Sequence, residues 1–251
     1  MKRHIDLLHG KILRSLTGLA LPIMATSLVQ TAYNLTDMAW IGRVGSAAVT
    51  AVGAAGMYTW LSSGIVTLAR MGGQIKVAHS LGEGEIKEAV EYGRGSLQLT
   101  LFLALMFALI VNLFVGRLIG FFGLSSEKIV EDAQIYLRIT GGLIVFSFLN
   151  QMLTGLFTAI GDSGTPFLAN STGLVINMIL DPLLIFGVGP FPRMEAAGAA
   201  VATVTAQMVV TLVMVWRAFW DTVLFDKICL WKRTDMQYFR MILKLGVPSS
   251  L

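Results

Sequence analysis

Six apolar segments of similar length, most of them separated by glycine, proline or charge, constrain this chain more than any other feature. They run Leu16–Ile41, Val49–Ala69, Leu97–Ile119, Leu137–Ile160, Phe167–Val188 and Ala196–Phe219. Each is near the ~20 residues a helix needs to cross ~30 Å of hydrocarbon. In that solvent a segment must satisfy its own backbone N–H and C=O groups, which long unbroken runs do as helices. Punctuation such as Gly42-Arg-Val-Gly45, Leu81-Gly-Glu-Gly-Glu85, Gly161-Asp-Ser-Gly-Thr-Pro166 and Gly187-Val-Gly-Pro-Phe-Pro192 marks the turns. The expected fold class is an all-α membrane protein: a bundle of six transmembrane helices, with the start of a seventh from Leu243.

Composition excludes the main alternatives. Charged residues are 14% of the chain and hydrophobic ones 55%, whereas a soluble domain carries about 25% charged residues. The single cysteine, Cys229, leaves no internal disulfide and no cysteine metal cluster. His4, His9 and His79 fall in polar flanks without ligand spacing. No nucleotide-binding loop, zinc motif or catalytic triad is present, so no enzyme and no cofactor are expected. The first run lacks a cleavage site and is too long for a signal peptide, and is read as a retained span.

Lysine and arginine set the orientation. With the N-terminus inside, the inner flanks hold Lys2, Arg3, Lys11, Arg14, Arg70, Lys76, Lys87, Arg94, Arg217, Lys227, Lys232, Arg233, Arg240 and Lys244. The outer flanks hold only Arg43, Arg117, Lys128, Arg138 and Arg193. A multi-pass protein of a prokaryotic cytoplasmic membrane, N-terminus cytoplasmic, is expected. The net charge of +4 is then a topology signal, and nucleic acid is not expected as a partner. Leu81–Gly95 reads as a solvated connector of short helical character, and Asp221–Arg240 as an amphipathic connector on the inner membrane surface.

The end of the chain echoes its beginning. Phe239-Arg-Met-Ile-Leu-Lys-Leu-Gly-Val-Pro248 aligns with Leu13-Arg-Ser-Leu-Thr-Gly-Leu-Ala-Leu-Pro22, matching arginine, leucine and proline at equal spacing. A repeated six-helix unit predicts two lobes related about an axis normal to the membrane, in a parent of roughly 450 residues. The expected organisation is a six-helix lobe at 1–220, an inter-lobe connector at 221–242 and the start of a second lobe at 243–251. On this reading the chain alone does not export, while one extended through a second lobe does.

Asp181 lies inside the apolar run Gly173–Gly187. A charge at a membrane-helix centre costs roughly 2.5–3.5 kcal/mol on insertion scales, so it needs a compensating role. Asn177, four residues earlier, shares its helical face. Gln30, Asn34 and Asp37 form a stripe on the first helix, Asn170, Asn177 and Asp181 one on the fifth, and Thr203 with Gln207 one on the sixth. By the helical rise, Asp37, Asp181 and Thr203 lie ~6 to ~10 Å, and Asn177 ~16 Å, below the outer helix ends. Such stripes face a bundle interior or a wet cavity. Asp37, Asn177, Asp181 and Thr203 are therefore candidate Na⁺ or proton ligands. Gln30, Asn34, Asn150, Met178 and Gln207 are candidate cavity residues, and Pro22 a candidate hinge because it removes a helix hydrogen bond.

These segments resemble the multidrug and toxic compound extrusion (MATE) family of secondary antiporters. Its carriers are Ala20-Leu-Pro22, Leu35-Thr-Asp-Met-Ala-Trp-Ile-Gly42, Ala159-Ile-Gly-Asp-Ser-Gly-Thr-Pro166, Ile176–Gly187 and Ala196–Thr203. The resemblance implies twelve helices in two lobes around a central cavity, exporting cationic or amphipathic compounds against inward Na⁺ or H⁺. It also implies an amino-terminal cation site matching Asp37, Asn177, Asp181 and Thr203. The expected partners are the lipid bilayer, a small-molecule drug or toxin, and the second lobe. Two alternatives are a flippase for lipid-linked precursors and a non-transporting membrane scaffold. A basic cavity would favour the flippase; the mid-membrane groups read as acidic and neutral.

Overall fold

The structure is a computed structural model that describes residues 12–250, with side chains described for Thr17 and from Ala20 to Pro248. Lys2, Arg3, His4, His9 and Lys11, and the side chain of Arg14, lie outside the described residues. The elements are α1 (Ile12–Val44), α2 (Ser46–Gly82), α3 (Ile86–Gly120), α4 (Glu127–Gly142), α5 (Val145–Ala159), α6 (Gly164–Phe186), α7 (Glu195–Ala218) and α8 (Met236–Ser250), with a single 3₁₀ turn at Phe225–Lys227. No strand occurs among the described residues. Helices α2, α3, α6 and α7 are each long and apolar enough to cross a membrane, and α4 with α5 forms a further span bent by 45°. Helix α1 has ample length at 33 residues; its polar stripe dilutes its apolarity.

The bundle packs through small residues. Lipid tails are as apolar as leucine, so membrane helices associate by close backbone approach rather than by expelling water. Gly198 on α7 lies against the Leu184 backbone of α6, where an added Cβ would come within 2.6 Å of the carbonyl carbon. Gly72 on α2 meets the backbone of Ile242 on α8, and Gly246 on α8 meets that of Leu68. Two apolar clusters result. One surrounds Ile41, Ile119, Leu137 and Phe148 near the α1–α2 turn, and the other surrounds Met152, Leu156, Phe157 and Ile242 nearer the α2–α3 turn. Gly187, at φ +71°, closes α6, and Val188 N–H donates to Leu183 O at 3.1 Å.

Several expected boundaries shift. The fourth apolar run is two helices, broken at Leu143–Ile144. Its glycine pair packs tightly on α3: a Cβ on Gly141 would meet Val111 at 2.9 Å, and one on Gly142 would meet Asn112 at 3.1 Å. The polar stretch Leu81–Gly95 is not a separate connector, because α2 runs to Gly82 and α3 starts at Ile86. Charged flanks continue a helix past the bilayer, since Glu, Lys and Arg are good helix formers. The stretch after α7 is mostly turns. Buried Asp221 accepts from Leu224 N–H and Phe225 N–H, which folds the 3₁₀ turn, and helix resumes at Met236, earlier than Leu243. The connector is stapled to α3: Gln98 Nε2 donates to Leu230 O and Lys232 O, both at 2.8 Å, and Thr234 Oγ1 donates to Gln98 Oε1 at 2.8 Å. Arg94, buried on α3, pairs with Glu91 and donates to Thr234 Oγ1 at 3.0 Å. Pro22 lies inside α1 without ending it, and Thr26 Oγ1 donates to its carbonyl at 2.8 Å.

Candidate cation site and cavity

Helix α1 packs along α6 and touches α7. This places the α1 stripe opposite the polar residues that α6 and α7 turn inward. Asn177 and Asp181 are fully buried, and Asn177 Nδ2 donates to Asp181 Oδ1 at 3.1 Å across one helical turn. That bond satisfies one carboxylate oxygen and fixes the amide, leaving its carbonyl oxygen free. Asp181 Oδ2, Asn177 Oδ1, Asp37 Oδ1 and Thr203 Oγ1 are buried with no hydrogen-bond partner. Leaving one buried polar atom unpaired costs ~1–3 kcal/mol, so four open oxygens on three helices form an expensive arrangement. A cation among them, or a proton between the carboxylates, would relieve it. The donors are oxygens, which suit hard cations. Among the described residues no group of three or more His, Cys, Asp or Glu is placed to hold a metal.

Beside this cluster lies a cavity of about 660 Å³, bordered by α1, α2, α4, α5, α6 and α7. Gln30, Asn34, Asp37, Asn150, Asn170, Thr203 and Gln207 line it. Asn177 and Asp181 do not line it and are fully buried. Met178 is exposed and lies outside the lining, because one residue beyond Asn177 turns the side chain ~100° round the helix. Asn150 is tied into the fold: its Nδ2 donates to Gln207 O at 3.0 Å and its Oδ1 accepts from Thr211 at 2.7 Å. Pro182 lacks an N–H and so cannot bond the Met178 carbonyl in the turn that holds Asp181.

Tyr33, Tyr136 and Arg70 are among the lining residues that sequence reasoning missed. Tyr33 sits one turn before Asp37, and its hydroxyl donates to Thr203 O at 3.5 Å; the spacing of four to Asp37 was the available signal. Tyr136 on α4 had none. Arg70 adds a cation to the lining, away from the mid-membrane groups that read as acidic and neutral. It directly follows the apolar run Val49–Ala69, where a cation reads as an interface anchor, yet α2 continues to Gly82 and Arg70 lines the cavity.

The MatE family model matches residues 22–183. The chain belongs to the MatE family. The matched stretch carries Asp37, Asn177 and Asp181, while Thr203 lies beyond it. Among its relatives, the FAD transporter of Shewanella oneidensis is 30% identical over 212 residues, covering 83% of this chain and 46% of that protein. The probable multidrug resistance protein NorM of Thermotoga maritima is 28% identical over 200 residues, covering 79% of this chain and 43% of that protein. A crystal structure of MATE in the bent conformation superposes with a TM-score of 0.88 at 26% identity, covering 100% of this chain and 55% of that one. The chain therefore spans about half the length of the MatE relatives it matches, and has the fold of one six-helix lobe of such a multi-pass membrane transporter.

Proposed function

We propose that this chain forms one lobe of a cation-coupled exporter of small organic compounds. The four buried, unpartnered oxygens of Asp37, Asn177, Asp181 and Thr203 beside an open polar cavity carry the reading. The N-terminus faces the cytoplasm, as the lysine and arginine distribution favours, so the oxygen cluster lies toward the outer side. Na⁺ or H⁺ arriving from outside neutralises the carboxylate pair, which allows α1 to close on α6 and α7. Pro22 weakens the α1 ladder below that contact and serves as the point about which the helix shifts. Coupling follows if the ion and the cargo favour different arrangements of α1, since equal affinity for both shifts nothing. The relatives' names divide between FAD and multiple drugs, and both are compatible with a polar cavity of this size. A second lobe completes the cavity wall on the face that this chain leaves open.

The test is ion-gradient-driven efflux of ethidium from cells expressing the lobe extended through a second lobe. Asp37→Asn and Asp181→Asn, at matched membrane levels, are each expected to abolish efflux. Parental efflux by both variants would place coupling elsewhere. A non-transporting scaffold predicts no effect of either substitution on any ion-dependent readout.

A further inference from the structure

Among the cations of the described residues, Arg70 is set apart by a buried side-chain nitrogen that has no partner. Its Nε is buried without a hydrogen-bond partner, and among the described residues no carboxylate forms an ion pair with it. Among the described residues that line the cavity, only Arg70 and Asp37 carry a formal charge. By the helical rise measured from the α1–α2 turn, Arg70 and Asp37 lie ~25 Å apart along the bundle axis, so neither neutralises the other. An arginine that merely reaches for interface water extends its head out of the protein. Here Gly155 on α5 lets the stem lie against a helix backbone: an added Cβ would come within 2.9 Å of Arg70 Cγ and 3.3 Å of Gln74 Oε1. Gln74, Thr158 and Ser163 border the same end of the cavity and supply further polar atoms.

We propose that Arg70, positioned by Gly155 and flanked by Gln74, Thr158 and Ser163, is an anion-recognising subsite at the α2–α3 end of the cavity, taking a carboxylate or phosphate group of an amphipathic cargo. The proposal rests on the cavity being the cargo site. A guanidinium whose Nε is buried without a partner is costly, and its planar fork matches carboxylate and phosphate oxygens two at a time. With Asp37 at the opposite end the cavity is bipolar, which selects cargo that bears an anion over cargo that is cationic throughout.

The experiment measures fluorescence anisotropy of the purified 251-residue chain in detergent with two dyes, rhodamine B and its ethyl ester. They share one cationic ring system and differ by a single free carboxylate. The parent chain is expected to prefer rhodamine B by about tenfold, the scale of one charge-assisted hydrogen-bonded contact. Arg70→Gln removes that preference and leaves ester binding in place, and Arg70→Lys retains part of it. Gly155→Ala, which crowds the arginine stem, weakens rhodamine B alone. Phosphatidylglycerol that displaces rhodamine B where phosphatidylcholine does not would assign the anion to a lipid headgroup; no displacement by either assigns it to the cargo. An unchanged preference in Arg70→Gln, or equal loss of both dyes, overturns the subsite. Binding of neither dye by the parent chain would remove the cargo-cavity reading as well.

Discussion

The hydroxyl of Thr203 separates a cation ligand from a group that holds helices together. It is buried and unpartnered, so Thr203→Val removes no hydrogen bond of its own and keeps the shape. Thermal stability in detergent is expected to hold or rise slightly, while ion affinity falls about five- to tenfold, the scale of one ligand oxygen. A loss of stability with unchanged ion affinity would mark a structural threonine instead. Asn177→Ala acts differently: it strips Asp181 Oδ1 of its donor and should destabilise the fold by ~1–3 kcal/mol, read as a lowered Tm. At this scale the sequence was informative for a physical reason. A carboxylate within an apolar run is too costly to be incidental, so Asp181 and its neighbour at i−4 announced themselves. Arg70, Tyr33 and Tyr136 did not, because an arginine at a run's end and a tyrosine in a helix are ordinary until packing shows what they face.

Helix packing follows from small residues, which makes it testable by volume. Gly198→Leu forces a side chain into the Leu184 backbone, so α6 and α7 must part. Overpacking of this kind costs typically ~1–3 kcal/mol, and backbone contact places it at or above the upper end, seen as a lower melting temperature. Gly53→Leu, at a position with open space around it, should leave the melting temperature close to the parent's. The connector offers a second test. Gln98→Ala cuts three hydrogen bonds between α3 and residues 230–234, so hydrogen exchange there should speed up while α3 itself stays protected. Equal protection in both proteins would show the connector held by its apolar contacts alone. The six apolar runs were legible because hydrocarbon demands a fixed helix length. The break between α4 and α5 was not: apolarity continues through Gly141-Gly142, and only the close approach to α3 shows that the glycines end a helix.

At the scale of the molecule, topology is open to direct measurement. In a Cys229→Ser background, single cysteines at Ser126 and Glu85 should react with impermeant maleimide from opposite sides of the membrane, because one whole span, α3, separates them. Reaction from the same side would contradict both the span assignment and the lysine and arginine argument. The sequence echo between the regions ending in Pro22 and Pro248 falls on helices that both carry proline internally, and α8 docks on α2 through Gly72 and Gly246. The echo pointed to a repeated unit; the cavity's bipolar lining was not legible, because it depends on which side chains α2 and α5 press together. If the four open oxygens hold a cation or proton, that ligand stabilises the purified chain against unfolding. Melting temperature is recorded at pH 7 in sodium chloride and in choline chloride of equal ionic strength, and again in choline chloride at pH 5. The account predicts that sodium or acid raises the melting temperature of the parent, and that Asp37→Asn and Asp181→Asn each lose that rise. An undiminished rise in both variants would contradict it.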